Sequence, residues 1–66
     1  MYIKVTIREA ARILARGGLV FDGHDSWACG LQLRRLRGVK ARHLRQLERK
    51  LKSPWYVDGW YIYKRA

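Results

Sequence analysis

GVKARHLRQLERKLKSPWYVDGWYIYK, residues 38–64, is the stretch whose reading decides the fold. Gly38-Val39 reads as a turn. Leu44, Leu47 and Leu51 follow at i, i+3 and i+7, one stripe of a 3.6-residue period. Ala41 and the stem of Lys40 extend that stripe, so residues 40–52 are predicted to be a helix. Arg42, Arg45, Gln46 and Arg49 lie on its back, with His43 and Lys50 at the margin. Ser53-Pro54 stops it, because the residue before proline is driven out of helical geometry. Asp58-Gly59 then separates two aromatic runs. That dipeptide suits a two-residue hairpin turn with positive φ at both positions. The register follows: Val57 opposite Trp60, Tyr56 opposite Tyr61, Trp55 opposite Ile62. Side chains alternate, so Trp55, Val57, Trp60 and Ile62 are expected on the core face. Pro54, Tyr56, Tyr61 and Tyr63 fall on the other.

Working outward, Tyr2 to Val5 alternates and reads as a short strand. Thr6 with Glu9 forms a capping box. Ile7, Ala10, Ala11 and Leu14 line one helical face, and Gly17-Gly18 ends that helix. Leu19-Val20-Phe21 reads as a short strand and Asp22 to Ser26 as a polar loop, with Asp25 or Ser26 a candidate N-cap. In residues 27–37, Cys29, Leu33 and Leu36 fit a helical face, while Trp27, Cys29, Leu31 and Leu33 alternate as in a strand. The helix is preferred, because LRRLRGVKARHL places leucines inward, glycine at a bend and a new helix just after it.

With that choice the chain resembles winged helix-turn-helix DNA-binding proteins, such as small phage or plasmid regulators and excisionase-like factors, over residues 6–64. TIREAARIL also resembles the opening of excisionase-like and MerR-like proteins, over about ten residues; Gly17-Gly18 and a loop then stand where a recognition helix would follow. The resemblance implies one α+β domain spanning residues 1–66. It would have three helices, a short N-terminal strand and a C-terminal β-hairpin wing.

Charge points the same way. The chain carries 15 Lys and Arg against 5 acids, a formal net charge of +10 in 66 residues. Such self-repulsion suits a polyanionic partner, nucleic acid first. The resemblance puts residues 40–49 in the major groove. Arg42, Gln46 and Arg49 are then expected at base edges, with Arg45 and His43 beside them. Arg34, Arg35, Arg37, Lys40 and Lys50 are expected nearer phosphates, and Lys64 and Arg65 at the backbone or minor groove. The competing reading is a solvated basic surface.

The expected function is sequence-preferring binding of double-stranded DNA, as a transcriptional regulator or architectural factor, with a homodimer as one arrangement. Two alternatives come from other classes. The chain could dock an acidic host protein as an inhibitor or adaptor. Or its tyrosine face could stack bases of RNA or single strands, unless those rings pack on the first strand or on Leu19-Val20-Phe21.

Other chemistry finds little support. Asp22, His24, Asp25, Cys29 and His43 lack the pair spacing of a closed zinc site. His24 and Cys29 lack the pocket and orienting group of a nucleophile pair. They are expected as a loop residue and a small core residue, and no metal, cofactor or catalytic residue is assigned. One cysteine forms no internal disulfide, which fits a reducing compartment. No run has the length of a membrane span and no signal-peptide core opens the chain. The expected location is cytoplasmic, at the nucleoid.

Overall fold

The computed structural model describes residues 1–26, 30–57 and 59–66. The chain runs β1 (Tyr2–Val5), α1 (Ile7–Ala15), β2 (Phe21–Ser26), β3 (Gly30–Arg35), α2 (Ala41–Lys50), β4 (Tyr56–Val57) and β5 (Trp60–Arg65). All strand pairs are antiparallel. β5 is the centre of the sheet. β2 lies along one side of it, with β3 outside β2. On its other side β1 pairs with residues 62–65 and β4 with residues 60–61, so the two follow each other along a single edge. β5 reads WYIYKR, aromatic and β-branched at its start, the composition that suits a strand flanked on both sides.

The helices start and stop where local chemistry directs. Thr6 has extended geometry and its Oγ1 accepts the Glu9 N–H at 3.2 Å. The Ile7 N–H donates to the Pro54 carbonyl at 2.7 Å, which ties the start of α1 to the approach of β4. At the other end Gly17 has φ +79, its N–H reaches Leu14 and the Gly18 N–H reaches Ile13. These are the two bonds of a Schellman cap. A Cβ on Gly18 would lie 2.6 Å from Ile13 Cγ2, so glycine is required there by contact as well.

Both helices pack on one face of the sheet. Val5, Ile7, Ala10, Ala11, Val20, Leu44, Val57 and Ile62 form the buried core, with Leu36, Val39 and Leu47 packed against it. Directly opposed residues of an antiparallel pair share a face. Val5 and Asp22 both oppose Ile62, and Val57 opposes Trp60. These residues therefore face the helices. Tyr61, Tyr63 and their partners face away.

The winged helix-turn-helix expectation is overturned. Among the described residues there are two helices on a five-stranded antiparallel sheet, not three helices with a wing. The predicted helix over 27–37 is a strand over Gly30–Arg35; Trp27, Ala28 and Cys29 lie outside the described residues. The alternation of Leu31 and Leu33 was the stronger signal, since β2 supplies a partner for that strand. The stretch expected as a polar loop, Asp22–Ser26, is that partner. Neither Asp25 nor Ser26 caps a helix, and Leu19 and Val20 precede the strand instead of forming it.

The hairpin registers Val57–Trp60 and Tyr56–Tyr61 are observed. Gly59 has φ +78; its turn companion Asp58 lies outside the described residues. Trp55 does not oppose Ile62, because Val5 takes that position. Trp55 is exposed and in no strand. The hairpin is thus no protruding wing: its second strand is the spine of the sheet.

Candidate nucleic-acid interface

The molecule presents two chemically distinct sides. On the helical side, Leu44, Leu47 and Ala41 turn inward and leave the back of α2 to solvent, while Leu51, expected on the same stripe, is exposed past the end of the helix. Arg42, Arg45, Gln46, Arg49 and Lys50 are all exposed there. The inward stripe of α1 does the same for Arg8 and Arg12, one turn apart. Because α1 and α2 lie side by side, Arg8 and Arg12 line a groove together with Arg45, Glu48 and Arg49. Arg8 crosses to Glu48 at 3.2 Å. Arg12, Arg45 and Arg49 have no carboxylate partner among the described residues. A guanidinium cluster on two adjacent helices offers planar forks to an oxyanion.

The remaining predicted contacts do not converge on this groove. His43 serves the helix itself, its Nδ1 accepting the Lys40 N–H at 3.4 Å, a long contact. Arg34 reaches the buried Asp22 carboxylate at 2.9 Å and lies 4.2 Å over the Trp60 ring, with His24 edge-on to the same ring. It is thus held by the sheet. The second Asp22 oxygen has no hydrogen-bond partner among the described residues, and Arg34 supplies the compensating charge on the first. Lys64 is held by Glu9 at 2.9 Å. Arg35 and Arg65 belong to the other side, opposite Phe21 and Tyr2. Arg37 is exposed beside Gly38, where α2 is approached, and Lys40 is exposed at its N-cap.

The other side is the open face of the sheet. Opposed pairs put Tyr2, Lys4, Phe21, Tyr56, Tyr61 and Tyr63 on it. Tyr2 meets Phe21 edge-on at 5.4 Å, and Tyr56 lies at 4.6 Å from Tyr61 with their hydroxyls 2.7 Å apart. Gly23 sits between them without a side chain, and a Cβ there would come within 3.2 Å of Tyr63 Cε2. Tyr63 can therefore lie across the strand and donate to Asp25 Oδ1 at 2.7 Å. Lys4 Nζ stands 3.7 Å over the Tyr61 ring and 3.5 Å from Asp25. The Tyr63 hydroxyl, then Lys4, hold the Asp25 carboxyl below the usual range. Burial, then the hydrogen bond to Asp25, pushes the Tyr63 phenol well above its ordinary value. Tyr63 is thus buried between Lys4 of β1 and Phe21 of β2, whereas Tyr56 and Tyr61 are half-buried on the same face.

Arg8 and Arg12 were missed in the sequence, although their i, i+4 spacing opposite the Ile7-Ala10-Ala11 stripe is legible. Tyr2, Lys4 and Phe21 were missed too. Their signal is period-two alternation in β1, which says nothing of the strand it will join. Among the described residues no three His, Cys, Asp or Glu side chains converge on a metal position, and no helix is long and apolar enough to cross a membrane. No family model matches the chain, and no curated protein or solved structure matches it.

Proposed function

We propose that this chain binds double-stranded DNA through the arginines shared by α1 and α2. The observation that carries the reading is the groove lined by Arg8, Arg12, Arg45 and Arg49, on a chain of formal charge +10. The contacts are with phosphates, since α2 has no helix-turn-helix partner to aim it end-first at base edges. Arg42, Gln46 and Lys50 extend the same exposed surface along α2. They carry whatever sequence preference exists, Arg42 and Gln46 having the side chains that pair with guanine and adenine. Phosphate contacts give affinity, register and strong salt dependence.

Duplex titration at several salt concentrations tests this. Each phosphate contact removed should reduce the log–log salt slope by about 0.9. Arg12→Ala and Arg49→Ala are expected to do so alike, although the two residues are far apart in sequence. Arg34→Ala, whose guanidinium is engaged by Asp22 and Trp60, should leave the slope unchanged. Absence of duplex binding at low salt by the unmodified protein overturns the reading. Nuclease-resistant capture of an acidic protein, lost in the same arginine variants, would transfer the surface to a protein partner.

A further inference from the structure

The open face of the sheet has the make-up of a stacking surface. Both helices pack on the opposite face. Tyr2 is exposed, Phe21, Tyr56 and Tyr61 are half-buried, and Tyr63 is buried beside Gly23. Cations accompany the rings. Lys4 stands over Tyr61, Arg35 opposes Phe21 and Arg65 opposes Tyr2. Asp25 is the one carboxylate that this side's described contacts contain, and Lys4 lies beside it.

We propose that this face binds single-stranded RNA, with unpaired bases stacking on Tyr61 and on the Tyr2–Phe21 pair. Rings interleaved with cations suit a strand that offers apolar base faces and phosphates in alternation. A duplex keeps its base faces to itself and cannot use the rings. Lys4 occupies the space above Tyr61 that a base would take. Its long stem lets the ammonium leave the ring and Asp25 for a phosphate as the base arrives. The polar groups among the rings select ribose over deoxyribose. The Asp25 carboxylate accepts, and the Tyr56–Tyr61 hydroxyl pair both donates and accepts, so each can meet a 2′-hydroxyl that DNA lacks. The proposal is independent of the duplex reading, since the two surfaces lie on opposite sides of the sheet.

The test uses the full chain and labelled oligouridine of about ten nucleotides, with oligodeoxyuridine of equal length differing only at the 2′ position. Fluorescence anisotropy should show the RNA bound more tightly than its deoxy counterpart. Tyr61→Leu and Phe21→Leu keep apolar bulk but remove a ring. Each should weaken oligouridine binding about tenfold, the loss of one stacked base, and leave duplex DNA binding unchanged. Arg12→Ala should do the reverse. Equal affinity for both oligonucleotides overturns the choice of RNA. An unaffected, folded Tyr61→Leu variant overturns the stacking surface. Should the leucine variants fail to fold, aromatic NMR of the unmodified protein decides. Upfield shifts of the Tyr2, Phe21 and Tyr61 ring protons on titration support the proposal, and shifts confined to α1 and α2 refute it.

Discussion

Replacing Gly23 with alanine probes the point where the sheet's architecture and its open face meet. Gly23 lies in β2 between Leu33 of β3 and Tyr61 of β5. An added Cβ would stand 2.5 Å from Leu33 Cδ2, 2.9 Å from the Gln32 carbonyl oxygen and 3.2 Å from Tyr63 Cε2. The leucine methyl can rotate away. The carbonyl cannot, because it belongs to the backbone of the neighbouring strand. Gly23 has no positive φ, so alanine brings no backbone strain and gains about 0.4–1 kcal/mol from a less flexible unfolded chain. Overpacking costs about 1–3 kcal/mol and outweighs it. The net loss is about 1–2 kcal/mol. For a domain of this size that lowers Tm by roughly 5–15 °C. Circular dichroism melts measure it. Adding Leu33→Ala separates the two contacts. If the methyl clash dominates, the double variant loses less than the sum of the singles. If the Gln32 carbonyl dominates, the losses add. A Gly23→Ala protein that melts at or above the unmodified temperature refutes the close approach of β2, β3 and Tyr63.

Three further outcomes are expected. Leu44→Ala should cost about 2–5 kcal/mol, since Leu44 is fully buried, whereas Leu51→Ala at an exposed position beyond α2 should cost well under half of that; equal losses in urea melts would contradict the observed helix face. Tyr63 has its folded pKa raised above the ordinary value of 10.0, so its contribution to stability is complete below about pH 10 and fades as pH rises beyond it; Tyr63→Phe should therefore remove part of the alkaline loss in pH-jump melts. Asp25 has its folded pKa lowered from 3.8, so its contribution is present above that value and is lost as pH falls below it; Asp25→Asn should flatten the acid limb of the stability profile and also shrink the alkaline limb, since Asp25 helps raise the Tyr63 phenol.

What the sequence determined by itself is local. The Thr6 cap, the Gly17-Gly18 stop and the leucine stripe each act within a turn or two of helix, so α1 and α2 are readable from neighbouring residues. The hairpin register is readable for the same reason, because a two-residue turn dictates which residues meet. Net charge needs no structure at all.

Tertiary structure decided the rest. Residues 27–37 satisfy both periods, and only the presence of β2 as a partner makes the strand over Gly30–Arg35 win. Most of β2, Asp22–Ser26, reads as a loop because its apolar content is low. It becomes a strand because Asp22 finds Arg34, His24 makes a T-shaped contact with Trp60, and Tyr63 reaches past Gly23 to Asp25. Its polar residues are satisfied by other strands. The two candidate surfaces are non-local in the same way. Arg12 meets Arg49 in one groove only because α1 packs along α2. Tyr2 joins the tyrosines of the hairpin only because β1 pairs with β5, Tyr2 opposite Arg65. Periodicity tells each element which side to turn outward, but which outward sides become neighbours is settled by the common core they bury.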